Sequence, residues 1–219
     1  MNTSKNTTEL LGEYVLQVCH NLRNPVSQIM TAASLGKTMA EERTDVRRMF
    51  EIISLASRQL ADIIDVMEQR SKHEGTVTPG RVDLATFLQN QFRFFEFDRR
   101  MRYGIRLRFF PPTESIEVPV VPADLVLVVN NLLHSIFSAT EEGRTIDLDC
   151  SISRSDDGPN LQLVIGFPDP VGNRGILLAE RLREAWSGLE QLASRNGIAF
   201  FQSGESPCIV RLSFPATTG

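Results

Sequence analysis

The 219-residue chain lacks several things, and each absence removes a class of protein. Its three cysteines, Cys19, Cys150 and Cys208, are odd in number and far apart. That spacing suits neither a disulfide framework nor a metal site, so they read as reduced thiols in a cytoplasmic protein, with no metal expected. No apolar run approaches the ~18 residues a membrane span needs. Met1 to Glu9 is polar with no apolar core behind it, so no signal peptide and no membrane partner are expected. Basic and acidic residues, 23 against 27, are interspersed along a chain of net charge −4. No basic patch stands out, which argues against a nucleic-acid partner. No internal repeat is visible.

What remains is a globular composition, 42% apolar, long enough for one mid-sized domain or two small ones. The first half is helical by its periodicity. At 100° per residue, Leu11, Val15, Val18, Leu22, Val26, Ile29 and Ala33 share an arc of about 80°. This predicts a helix from about Thr8 to Met39. His20 falls roughly opposite the middle of that arc and should project to solvent, with Asn24 one turn away. Pro25 removes a backbone donor and should bend the helix there. A second helix, capped by Thr44 or Asp45, carries Val46, Met49, Phe50, Ile53, Leu60, Ile64 and Met67 at three- and four-residue steps. Two long helices with a short connection make an antiparallel hairpin. One hairpin cannot cover both apolar stripes, and a two-fold four-helix bundle is the simplest solution.

Ser71 to Arg81 loses periodicity, holds two glycines and a proline, and reads as a linker. The expected division is a hairpin over 1–72, a linker over 73–81 and a second domain over 82–219. There the pattern predicts helices over Leu84–Arg100, Ala123–Ser138 and Ile176–Arg195. Strands are expected over Gly104–Phe110, Ser115–Val121, Thr145–Arg154, Leu161–Phe167, Ile198–Gln202 and Cys208–Phe214. Helices on one side of a mixed sheet make a two-layer α/β sandwich, and the fold class is α+β.

A lone histidine at a polar helix position is usually a solvated surface residue. The neighbours of this one alter that reading. His20-Asn21-Leu22-Arg23-Asn24-Pro25 resembles the H-box of sensor histidine kinases, which runs His, an acid, Leu, a basic residue, Thr or Asn, then Pro. The resemblance implies that His20 carries a phosphoryl group on a dimeric four-helix bundle and exchanges it with a response-regulator aspartate. The α/β sandwich then corresponds to that family's ATP-binding domain, so the likeness covers roughly residues 8 to 217.

The family's nucleotide motifs match only in part. Asp124 and Asn131 fall at N-box spacing, but the magnesium-ligating asparagine is replaced by Ser135. His134 beside it is a poor substitute, because magnesium prefers oxygen ligands. Asp169 matches the adenine-reading aspartate of an Asp-x-Gly-x-Gly box, in the stretch Phe167-Pro168-Asp169-Pro170-Val171-Gly172. Val171, however, stands where the box needs its first glycine, and a β-branched residue cannot adopt such angles. Of the last glycine box only Gly188 is near the expected place, inside a helix and followed two residues later by Glu190. Almost no residues remain for a lid. Asn21 replaces the acid that takes the imidazole proton during attack on ATP, and losing a positioned base costs on the order of 10² to 10⁴ in rate. Loss of the metal clamp removes a further electrostatic contribution.

The reading is a histidine phosphotransferase of a two-component phosphorelay, built on a kinase body. It resembles bacterial phosphotransferases of that kind. His20 is the phosphoacceptor, with Arg23 and Asn24 docking and orienting the receiver. Asn131, Ser135, Asp169, Gly172 and Gly188 are degenerate nucleotide positions, and no cofactor is expected. The partners are receiver domains and a second copy of the chain. Asn24 also matches the position that orients a hydrolytic water when such kinases act as phosphatases. An active divergent kinase and a non-enzymatic pseudokinase are the alternatives.

Overall fold

The structure is a computed structural model that describes residues 18, 21–32, 35, 43–138, 145–167, 174–204 and 207–216. The chain divides into two compact units, Met1–Arg70 and Ser71–Gly219.

In the first unit, residues 21–32 form a helix, α1, which runs through Pro25; Val18 and Leu35 are helical too. The long helix α2 spans Arg43–Gly75 and passes into the second unit. Burial along both follows a heptad. Val18, Pro25 and Ala32 are buried at seven-residue steps, and so are Met49, Ala56, Ile63 and Arg70. The half-buried Leu22, Ile29, Val46, Ile53 and Leu60 fill the intervening three- and four-residue steps. A seam with this period is how one helix packs against another at a shallow angle. Beside the seam lies a second apolar stripe that stays open. Val26 and Met30 belong to it on α1, and Phe50, Ile64 and Met67 on α2; Met30 is 67% and Phe50 64% exposed.

The second unit holds two sheets. Short strands β1 (Gly80–Asp83) and β3 (Glu117–Val120) pair antiparallel as a small separate sheet. The main sheet contains β2 (Ile105–Phe110), β4 (Ile146–Ser155), β5 (Gly158–Gly166), β6 (Ala199–Ser203) and β7 (Cys208–Ser213). Its order is β2-β4-β5-β7-β6, with β2 and β4 parallel and every other pair antiparallel. The helices are α3 (Leu84–Phe95), α4 (Arg99–Gly104), α5 (Pro122–Phe137), α6 (Arg174–Ser187) and α7 (Glu190–Arg195).

Alternation along the strands buries one face of the sheet. Ile146, Leu148, Cys150, Leu161, Leu163, Ile165, Cys208, Val210 and Leu212 are buried, whereas the residues between them along each strand are half-buried or exposed. The α3 and α5 side chains Leu88, Phe92, Val129, Leu132 and Leu133 meet Leu161, Leu163 and Leu212 around one small apolar void. Phenylalanines continue this core: Phe95 meets Phe137 edge-on at 5.0 Å, and Phe92 meets Phe109 at 5.5 Å. Burial pushes the Cys150 thiol well above its ordinary pKa, and raises that of Cys208 as well. Neither thiol is paired. No helix among the described residues is long and apolar enough to cross a membrane.

Several sequence expectations change. Helix α2 is already under way at Arg43, so Thr44 and Asp45 lie within its first turn rather than capping it. The expected linker over 71–81 is helical as far as Gly75, and its last two residues belong to β1, a strand that the periodicity did not announce. The helix expected over Leu84–Arg100 is two helices. Asp98 breaks it by accepting the Arg100 amide at 2.7 Å, and so caps α4. The helix expected over Ile176–Arg195 divides at Gly188 and Leu189, where the chain turns to bury Leu189 and Ala193.

Candidate functional site

His20, Asp169, Val171 and Gly172 lie outside the described residues. The described flank of the H-box is on α1: Arg23 and Asn24 are exposed, Pro25 is buried, and Asn21 and Leu22 are half-buried. The heptad produces this arrangement, because the two residues between the seam positions Leu22 and Pro25 fall on the outward face. Arg23 and Asn24 are thereby presented side by side to solvent.

The N-box positions all sit on α5, which starts at Pro122 with Pro at its first turn, where its missing N–H costs nothing. Asp124 is 2% exposed and is fully engaged. Its carboxylate takes a bidentate bond from the Arg195 guanidinium at the end of α7 and a 2.7 Å bond from the Asn196 amide. Asn196 in turn accepts the Val121 amide at 2.6 Å and donates to the Leu192 carbonyl at 2.8 Å. Asp124 therefore fastens the start of α5 to the end of α7, and its hydrogen bond holds the Arg195 guanidinium above the ordinary arginine pKa. Neither Arg195 nor Asn196 was singled out for this in the sequence. The only trace was Asn196-Gly197 as a helix stop, with Gly197 at φ 64°.

Further along α5 the polar side chains lie back on their own helix. The Asn131 amide nitrogen donates to the Leu127 carbonyl at 2.8 Å, and the Ser135 hydroxyl to the Asn131 carbonyl at 2.8 Å. The Ser138 hydroxyl donates to the Ser135 carbonyl at 2.9 Å. Arg181 of α6 donates to the Ser138 carbonyl at 2.6 Å, closing the helix end. His134 is half-buried near that end. This back-bonding uses side-chain polarity locally. It does not converge Asn131 and Ser135 on a metal, and among the described residues no group of three or more His, Cys, Asp or Glu could hold one. Gly188 is not inside a helix as expected but exposed in the turn between α6 and α7, where its amide reaches the Glu184 carbonyl at 3.4 Å. Glu190 opens the six-residue α7.

No family model matches the chain. It is similar to the sensor protein kinase PilS of Pseudomonas aeruginosa, 29% identical over 137 residues. The match spans 61% of this chain and 25% of PilS, so the chain corresponds to about a quarter of that protein. Among solved structures, a bacterial phosphotransferase is 14% identical with a TM-score of 0.48, covering 94% of this chain and 96% of its own. The Acinetobacter baumannii histidine kinase AdeS is 11% identical with a TM-score of 0.48, covering 91% and 98%. Over the matched 137 residues the chain is thus similar to a sensor histidine kinase.

Proposed function

We propose that the chain is a dimeric histidine phosphotransferase that relays a phosphoryl group between receiver aspartates through His20, without making phosphohistidine from ATP. The observation that carries this reading is a contrast. The residues a carrier needs are present in sequence around His20, with Arg23 and Asn24 exposed on α1. The described N-box side chains, by contrast, are spent on their own helix and on Arg195 and Asn196.

The chemistry asks little of this protein. A neutral imidazole nitrogen of His20 attacks the phosphorus of an aspartyl phosphate. The phosphorus–oxygen bond to the receiver breaks, and the carboxylate leaves with the bonding electrons. The imidazole proton passes to solvent, and the reverse reaction delivers the group to a second receiver. The receiver supplies its own magnesium and acidic pocket. Asn21 cannot accept a proton as the family's acid does, which leaves this route intact and handicaps attack on ATP. Arg23 is placed to meet anionic oxygens on a docked receiver, and Asn24 to orient it.

The open stripe of the first unit supports dimerisation. Val26, Met30, Phe50, Ile64 and Met67 form a second apolar seam at helical spacing, and exposed seams of this kind are closed by association. A second copy brings an identical stripe and completes a four-helix bundle.

The test is one assay run with and without ATP. The purified chain should acquire label from a phosphorylated receiver and lose that capacity in His20→Ala. It should stay unlabelled with ATP alone. Labelling from ATP alone would make it a kinase. Failure to accept label from any of a panel of receivers would leave a non-enzymatic regulator.

A further inference from the structure

Strand β4 outruns its neighbour. The β2–β4 ladder ends at Phe110↔Ser151, whereas β4 continues to Ser155 paired only with β5. The chain beyond Phe110 is Pro111-Pro112, and neither residue has an N–H to extend the ladder. The orientation of the exposed edge can be derived. Pro159 lies opposite Arg154, and its carbonyl accepts the Phe214 amide at 2.9 Å, on the β7 side. In an antiparallel pair the partner of such a residue turns its own main chain outward, so the Arg154 N–H and C=O face away from β5. Ile152, two residues earlier, turns the same way.

A cavity of about 300 Å³ lies along this edge. The buried Ile116 and Ile152 floor it, and Thr113, Glu114, Ser153 and Arg154 rim it. Arg154 and Glu114 are exposed, and neither has an ion-pair partner among the described residues. The notch therefore combines the outward-facing main chain of Arg154, beyond the end of the β2 ladder, with an apolar floor and one charge of each sign that has no ion-pair partner among the described residues.

We propose that this notch receives an extended peptide segment of a partner protein, added as a short strand beside Ile152–Ser155. Main-chain bonds to Arg154 provide the hold, an apolar side chain fills the floor, and an acid and a base meet Arg154 and Glu114. A small molecule would not match donors and acceptors repeated along a strand; an extended backbone does. The inference is independent of phosphotransfer at His20.

The test is titration of the isotope-labelled full chain with a capped heptapeptide, Thr-Lys-Thr-Val-Thr-Asp-Thr, whose Lys, Val and Asp share one face of a strand as Ile152 and Arg154 do, followed by amide NMR. The expected result is a shift and slowed exchange at the Arg154 amide. N-methylation of alternate peptide amides should weaken binding about tenfold or more, since it removes main-chain donors and keeps every side chain. Arg154→Glu, at an exposed position, should weaken the peptide and favour one with Lys and Asp interchanged. Equal binding of the N-methylated peptide would overturn the proposal, as would no perturbation at millimolar peptide. In the latter case the prolines and Arg154 merely guard an edge against association.

Discussion

Asp124 shows how a residue found by motif spacing can have a different occupation in the fold. Its carboxylate is buried and accepts from Arg195 and Asn196, so removing it strands a buried amide and releases α7 from α5. Asp124→Ala should cost about 2 kcal/mol, chiefly for the buried Asn196 N–H left without its acceptor, because Arg195 is 57% exposed and can rehydrate. Chemical denaturation would measure it. Gln91 presents the opposite case. It lies fully buried in α3, and neither polar end of its amide has a hydrogen-bond partner among the described residues. Gln91→Met keeps the length and removes the desolvated amide, so it should raise stability by about 1 kcal/mol, seen as a higher melting temperature. A lower one would show that the amide is bonded in solution. Spacing alone had matched Asp124 to the N-box and could not show Arg195, 71 residues away, waiting for it. A side chain's partner across the fold is not encoded in local period.

Helices and strands whose apolar period was strong were legible: α5, β4, β5 and β7 lie where alternation and the three- and four-residue steps put them. The breaks were harder to see, because they depend on single polar side chains. Asp98 ended one helix and opened another through a bond to Arg100, and the four-residue β1 is too short to display a period. Asp83 is a further example, capping α3 by accepting the Thr86 amide at 2.7 Å while taking the Ser115 hydroxyl at 2.6 Å. Partial burial would raise its pKa, but these bonds outweigh burial and hold it below the ordinary 3.8. A carboxylate lowered in the fold stabilises fully above its unfolded value and loses that contribution as pH falls through its folded one. Asp83→Asn retains a cap that does not titrate, so its stability should fall less than wild type as pH drops below 3.8. Asp83→Ala should lose about 1 kcal/mol at neutral pH. Parallel acid curves for wild type and Asp83→Asn would refute the assignment.

For the molecule as a whole, the candidate site divides between what sequence can display and what it cannot. The H-box is contiguous, so His20, Arg23, Asn24 and the telling Asn21 stood out at once. The nucleotide positions are scattered over the second half of the chain, and whether Asn131 and Ser135 present ligands or fold back is a matter of rotamer and local hydrogen bonding. The apolar stripe of the first unit belongs to this scale as well, because a single copy of the unit leaves it exposed. Phe50 is exposed, so a charge there does not disturb the heptad seam within the unit. In the proposed dimer, Phe50→Glu should shift light scattering from dimer to monomer while preserving the helical circular dichroism. A dimer of unchanged affinity would place the association elsewhere.

The two sheltered sulfurs on β4 and β7 give the molecule a built-in clock. A thiol wholly enclosed and reluctant to ionise reacts only while its strand is transiently open, so the speed of modification counts opening events. In a Cys19→Ser background, Cys150 and Cys208 should be alkylated at one common rate if the sheet opens as a unit. Faster capture of Cys208 would reveal that the β7–β6 margin peels away while the strand carrying Cys150 stays shut.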